Sequence, residues 1–360
     1  MAAKAFASVQ VLRGVAALLV VLLHVGQAAE IPIGYWPLPQ FTRGGSIGVD
    51  IFFCLSGFIM YLTAGDSFGL PHATSRFLLR RFLRIYPLYW LASAVALICG
   101  LAGIHVFDSH LESTAHTVKS FLLIPQARIT ILGPGWTLVH EVRFYVTLGL
   151  TLMLPRRWAF RCLVAWGFGS LGVLLMSYSS FPWMDSTIAG RAINFIFHPS
   201  SLQFLLGMLA AWIVCVRQTR PAVDHSILAL GMASTGVVLQ WFVDLEIDTK
   251  YSNVTLFTLP SFVLVLGAAL LERRYQPRFP SVCVMLGDVS YSTYLSHVFV
   301  ITAMVTLAFG EQAGIHSPTY NLWMSLLIVI GVHPVSVMIY RWIELPLHEW
   351  ARLWTKRLSQ

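Results

Sequence analysis

Stretches of about twenty apolar residues recur along this chain, and they limit its fold more than any other feature. A bilayer's hydrocarbon core is about 30 Å thick, so a helix rising ~1.5 Å per residue needs roughly 20 apolar residues to cross it. Segments that meet this demand fall near 9–29, 47–65, 82–103, 136–154, 161–179, 200–216, 226–243, 254–271, 285–309 and 321–343. Composition agrees. Of 360 residues, 57% are hydrophobic and 11% charged, against about a quarter charged in a soluble domain. Such a chain cannot cover a water-facing surface. The expected fold is all-α and integral to the membrane: a bundle of about ten transmembrane helices. It is read as one transmembrane domain over residues 1–360 with no appended soluble domain.

The basic residues test this independently. With residue 1 in the cytoplasm, sixteen of the 24 Lys and Arg residues fall on inner segments. Only five fall on outer ones (Arg43, Lys119, Arg128, Arg191 and Lys250), and Arg13, Arg143 and Arg341 lie inside spans. That asymmetry follows the positive-inside rule and puts both termini in the cytoplasm. Topology therefore accounts for the net charge of +8, and no nucleic-acid partner is implied. The five cysteines are scattered singly, with no CxxC pair, and read as packing residues rather than a disulfide or zinc framework. Arg13 interrupts the first apolar stretch, which argues against a cleaved signal peptide despite "VGQAAE" at 25–30.

Two stretches between spans carry polar chemistry. Residues 104–135 form the longest outer connection, with His105, Asp108, His110, Glu112 and His116 at irregular spacing. A solvated loop is the expectation there, ahead of a metal site. Within it "TVKSFLLIP" (117–125) is too short to span, so it re-enters or lies at the interface.

Ionisable groups inside spans are costly and usually face a cavity or a partner. Here they are Arg13, His24, Asp50, His140, Glu141, Arg143, His297, His333, Arg341 and Glu344. Arg341 and Glu344, three apart, are expected to pair with each other. His333 precedes Pro334 and reads as support for a disrupted helix. His297, in "YSTYLSHVF", is either a packed polar residue or a site residue.

Arg13 and His24 are the pair to explain. Eleven residues at about 100° each return to within roughly 20° of one face. A helix entering near residue 9 places Arg13 about 6 Å deep and His24 about 22 Å deep, hence roughly 8 Å from the outer face of a ~30 Å core. The fourth span runs the other way from Trp136 and carries Glu141 to the same level, about 8 Å from that face. This allows a histidine–carboxylate pair that sets the imidazole's tautomer and basicity. At the inner mouth of the third span, "RFLLRRFLRIYP" (76–87) presents Arg81 and Arg84 three residues apart. As planar donor forks they suit phosphate, although a positive-inside anchor would use the same residues.

The chain resembles the acyltransferase family 3 membrane proteins, bacterial enzymes that O-acylate surface polysaccharides. The resemblance runs through "LRGVAALLVVLLHVG" (12–26), "GGSIGVDIFFCLSGFIM" (44–60), "RRFLRIYPLYW" (80–90), "GPGWTLVHEVRFY" (133–145), "GDVSYSTYLSH" (287–297) and "IELPLHEW" (343–350). It implies a multi-pass protein of the bacterial inner membrane, moving an acyl group from cytoplasmic acyl-CoA to a sugar hydroxyl. Acetyl-CoA is the default donor, succinyl or longer chains being compatible, and no metal is required. The family's essential arginine and histidine carry over to Arg13 and His24, and its Arg-x-x-Arg to Arg81 and Arg84. Some members carry an extra helix and an extracytoplasmic hydrolase-like domain; this sequence has neither.

Resemblance and chemistry together lead to one expected mechanism. Arg81 and Arg84 hold the CoA phosphates, the pantetheine arm passes Arg13, and His24 deprotonates the acceptor hydroxyl as it attacks the thioester. Glu141 orients the imidazole, with Asp50 as the competing candidate. Asp50, Trp136 and His297 are the candidate contacts to the acceptor, Trp136 by stacking on a pyranose. Direct transfer and an acyl-imidazole intermediate are both compatible with these residues. The expected partners are acyl-CoA, a polysaccharide or lipid-linked glycan, and membrane lipids; a homo-oligomer is also compatible. A proton-coupled transporter of a sugar or lipid would also bury His, Glu and Arg. It commonly shows two related halves, which are not evident here, and has no use for the inner arginine pair.

Overall fold

The computed structural model describes residues 6–33, 42, 44–104, 107, 113–178, 186–216, 221–244, 251–309 and 318–357. Among them there is no strand. This is what a bilayer demands, because a helix satisfies its own backbone hydrogen bonds where water cannot. The helices are α1 (Ala7–Ile33), α2 (Ile47–Ala64), α3 (Ala73–Leu101), α4 (Thr114–Phe121), α5 (Gly135–Thr151), α6 (Arg156–Ser177) and α7 (Ile188–Ile196). They continue as α8 (Ser200–Val216), α9 (Pro221–Asp244), α10 (Ser252–Tyr275), α11 (Ser281–Asp288), α12 (Ser290–Phe309), α13 (Pro318–Ile339) and α14 (Leu345–Arg357).

Among the described residues the ten expected spans fall on helices, the ninth across a turn at Val289 between α11 and α12. Among the described residues seven stretches are long and apolar enough to cross a membrane, beginning at Ala7, Gly44, Ala73, Arg156, Ile188, Val254 and Trp323. Three expected spans, in α5, α9 and α12, fall outside that group. α5 has 17 residues, about 26 Å of helix, and holds His140, Glu141 and Arg143. α12 has 20 residues, with Ser290, Ser292, Thr293, Ser296 and His297 in its first half. α9 is a helix of 24 residues, of which the stretch Val223–Val238 is apolar among the described side chains. The third span also begins earlier than expected: α3 starts at Ala73, so the arginine turn lies inside the helix.

The chain forms two compact units. The first comprises residues 1–16, 46–75 and 143–288. Its centre is the packing of α2 on α8 and α10. A Cβ on Gly57 would stand 1.9 Å from the Phe204 carbonyl oxygen, and one on Gly207 1.9 Å from that of Cys54. Only glycine at both positions lets these backbones touch. Around the crossing, Phe53 and Phe204 pack on Phe144 at ring-centroid distances of 5.3 and 4.7 Å. The start of α1 is tied to the end of α10, because the Glu272 carboxylate accepts from the backbone N–H of Ala7 (2.7 Å) and Ser8 (2.6 Å). A negative charge there also favours the helix dipole. Of the cysteines, Cys54 is buried in this packing, whereas Cys162 and Cys215 are exposed.

The second unit comprises residues 17–45, 76–142 and 289–360. Val21 and Val25 of α1, Ile301 of α12, and Ile328 and Val332 of α13 make one buried cluster. The short α4 docks along the middle of α3. Carbonyls at its C-terminal end accept from Tyr89 (Ser120, 2.7 Å), Trp90 (Phe121, 2.9 Å) and Tyr86 (Leu122, just past the helix, 3.1 Å). His116, expected in a solvated loop, is instead buried on α4, with Nε2 2.8 Å from the Ile129 carbonyl. His105, Asp108, His110 and Glu112 lie outside the described residues.

Two further expectations are revised in this unit. Arg341 is exposed, whereas Glu344 turns inward and accepts from Ser292, so the two do not pair. A π-turn at Tyr340–Glu344 rotates Glu344 away from the outer face. His333 donates from Nδ1 to Val329 (2.9 Å). The carbonyl left without a donor by Pro334 is that of Ile330, four residues before the proline.

Candidate active site

In the second unit, α12 reads "SYSTYLSHVFVITAMVTLAF", with Tyr291, Tyr294 and His297 spaced by three. Side chains at that spacing follow one another along a helix face. Tyr291, Tyr294 and His297 each contact an element that carries a candidate site residue, and Ser292 beside them holds Glu344. The Tyr291 hydroxyl donates to the Ile85 carbonyl (2.8 Å), adjoining Arg84. Ser292 donates to Glu344 Oε2 (2.5 Å). The Tyr294 hydroxyl donates to the Pro134 carbonyl (2.7 Å) and lies 2.6 Å from Thr137 Oγ1, fixing the start of α5 on either side of Trp136. The His297 ring lies against the His24 ring, centroids 4.7 Å apart at 67°.

His24 is half-buried, and its Nδ1 lies 2.8 Å from the Val20 carbonyl oxygen. A carbonyl only accepts, so Nδ1 carries the proton and Nε2 presents a lone pair. This is the tautomer a general base needs. Glu141 makes no hydrogen bond or ion pair with His24. It is half-buried beside the Tyr294 hydroxyl, on which its charge bears. The ring contact that His24 does make is with the Val20 carbonyl, one helical turn before it on α1.

His297 is fully buried, its Nδ1 3.2 Å from the Thr293 carbonyl and its Nε2 without a partner among the described residues. It touches the candidate base directly. Trp136, by contrast, is 45% exposed, with its ring edge-on to His140 at 6.0 Å, as a stacking surface would be.

The arginine turn of α3 divides into two faces. Arg76 and Arg80 are exposed, Arg84 is half-buried, and Arg81 is buried, its guanidinium 5.4 Å from the Phe77 ring centre. Residues 77, 81, 84 and 88 lie on one helical stripe. An anchor alone would leave all four arginines outward; two face in.

The remaining candidates belong to the first unit. Arg13 Nη1 donates to Gln10 Oε1 (3.0 Å). Asp50 is 4% exposed and is held by the Gln203 side-chain amide. Arg143 gains a role the sequence did not assign. Its Nη1 donates to the Phe195 carbonyl (2.6 Å) and its Nη2 to Ser200 Oγ (3.0 Å), with Trp166 Nε1 donating to Ile196 (2.8 Å) alongside. It thereby seals the break between α7 and α8, where a cation meets the negative end of a helix dipole. Pro199 in "FIFHPSS" is the sequence signal for that break.

The sequence profile described as an acyltransferase domain, that of acyltransferase family 3, matches residues 6–341. The chain belongs to this family. Its relatives within the family span much of its length. It is 29% identical to the exopolysaccharide production protein ExoZ of Rhizobium meliloti, covering 86% of this chain and 90% of that protein. It is 30% identical to the acyltransferase MdmB of Streptomyces mycarofaciens, covering 83% and 80%. Identity to the peptidoglycan O-acetyltransferase OatA of Listeria monocytogenes is 21%, over 86% of this chain but 52% of that longer protein. No solved structure matches. The protein is thus a multi-pass acyltransferase of family 3.

Proposed function

We propose that the protein is an O-acyltransferase of the bacterial inner membrane, with ten spans and both termini cytoplasmic. It moves an acyl group, acetyl by default, from cytoplasmic acyl-CoA to a sugar hydroxyl of an exported polysaccharide or lipid-linked glycan. Two named relatives support the acceptor class, one an exopolysaccharide production protein and the other a peptidoglycan O-acetyltransferase.

His24 is the general base. The observation that carries this is the hydrogen bond from its Nδ1 to Val20, which leaves Nε2 unprotonated. Nε2 removes the acceptor's proton as its oxygen attacks the thioester carbonyl, and returns that proton to the departing thiolate. Arg81 and Arg84 bind the donor's phosphates as planar forks. Arg13, in the family's spacing to His24, is assigned to the donor as well. Trp136 offers a ring to a pyranose face. Glu141 supports the site electrostatically beside Tyr294.

The test is transfer of label. Purified protein in liposomes is given labelled acetyl-CoA and a panel of bacterial exopolysaccharides and peptidoglycan fragments. Alkali-labile label on a glycan is the expected result. Donor left intact with every acceptor, in protein shown to be folded, would rule the reading out.

A further inference from the structure

His24 and His297 are more than neighbours, because their backbone partners prescribe the same tautomer for both. Nδ1 of His24 faces the Val20 carbonyl (2.8 Å) and Nδ1 of His297 faces the Thr293 carbonyl (3.2 Å). Each oxygen can only accept, so each Nδ1 holds a hydrogen and each Nε2 a lone pair. The rings are 4.7 Å apart at 67° and share no hydrogen bond, as expected of two acceptors. His297 is fully buried and its Nε2 has no donor among the described residues. A buried acceptor left unsatisfied is costly and calls for an explanation.

One added proton resolves it. A proton on His24 Nε2 turns one acceptor into a donor beside the other, and a charge-assisted hydrogen bond becomes available. A second proton would place two cations in contact in low-dielectric surroundings, which is strongly unfavourable. Among the described residues, His24 is the charged or titratable group whose charge bears on His297. Tyr294, 5.9 Å away ring to ring, has its hydroxyl engaged by Thr137 and Pro134. Val21, Val25 and Ile301 flank the pair along α1 and α12 in a buried cluster, which keeps the rings in register.

We propose that His24 and His297 form an imidazole pair built to hold a single proton, in which His297 is the positioning residue that stabilises the His24 imidazolium during acyl transfer. The inference rests on the reading of His24 as the base. In the reaction the acceptor O–H bond breaks and its proton goes to His24 Nε2, while the oxygen bonds to the thioester carbon. That N–H is shared, as a three-centre hydrogen bond, between the reacting groups and His297 Nε2 until the C–S bond breaks and the thiolate takes the proton back. Nothing is oxidised or consumed, and His297 ends as it began.

The experiment compares His297→Phe, His297→Gln and His24→Gln in purified protein, following CoA thiol release from acetyl-CoA in the presence of a glycan acceptor. Phe keeps the ring and its packing but has no nitrogen, whereas Gln returns a polar group at about the reach of Nε2. His297→Phe should lower kcat about 10–100-fold, the worth of a charge-assisted hydrogen bond, with the KM for acetyl-CoA within about twofold. His297→Gln should recover part of the loss; a merely structural role would not split kcat from KM in this way. If His24→Gln is inactive and His297→Phe turns over at the wild-type rate, the pair is refuted while the base stands. If His24→Gln is active, the base itself is refuted and the pair with it. Should His297→Phe fail to fold, 15N spectra of histidine-labelled wild-type protein decide. Both residues must show a protonated Nδ1 and a bare Nε2, and a protonated Nε2 on resting His297 overturns the proposal.

Discussion

Arg84→Ala tests donor binding with little disturbance of the fold. The residue is half-buried on the inward stripe of α3, and its turn is held independently by Tyr291 on the Ile85 carbonyl. Alanine is the best helix former, so the backbone should stay in place. What is lost is the charged fork. A hydrogen bond to a charged group is worth about 1.5–3 kcal/mol, and 1.4 kcal/mol is tenfold in affinity, so the Kd for acetyl-CoA should rise about 10–100-fold. Lysine at 84 should restore only part of this, since it keeps the charge but not the planar geometry. Arg81→Ala differs because Arg81 is 9% exposed and lies over Phe77. It should also lose about 0.5–2 kcal/mol of cation–π contact and the packing of its stem, lowering the melting temperature as well as the affinity. Calorimetric titration of detergent-purified protein with acetyl-CoA, beside thermal unfolding of each variant, separates the two effects. Wild-type affinity in Arg84→Ala would refute the donor site and return the arginines to topology.

Three further outcomes are expected. His24→Gln should yield folded protein that binds acetyl-CoA but transfers 10²–10⁴-fold more slowly, the usual cost of losing a general base; near-wild-type turnover would return His24 to the packing residues. Reporters fused after residues 220 and 278 should read cytoplasmic and one within 104–116 external, and a cytoplasmic signal from the latter would invert the assigned topology. Gly207→Ala should cost about 1–3 kcal/mol, the scale of overpacking, because its Cβ would stand 1.9 Å from the Cys54 carbonyl oxygen; an unchanged melting temperature would show that α2 and α8 need no glycine between them.

Sequence alone determined the helical membrane architecture, since twenty-residue apolar runs and a scarcity of charge leave a chain few other ways to satisfy its backbone. It also marked His24, Arg81 and Arg84, because groups this costly to bury announce themselves in an apolar context. The spacing by three in "SYSTYLSH" was visible too, but its meaning was not. Whether Tyr291, Ser292, Tyr294 and His297 meet lipid or other helices depends on which elements stand beside α12, and helix periodicity carries no information about neighbours. The same limit explains Glu141, whose depth could be computed from a rise per residue while its partner could not. It explains Glu344 as well, which local spacing paired with Arg341 until a π-turn rotated it toward Ser292. Only the tertiary structure decided that the imidazole of His24 answers to its own backbone at Val20 and to a second histidine from a distant helix. Helical rise and period locate a residue along and around its own helix; contact between helices is settled by packing, to which every side chain of both surfaces contributes.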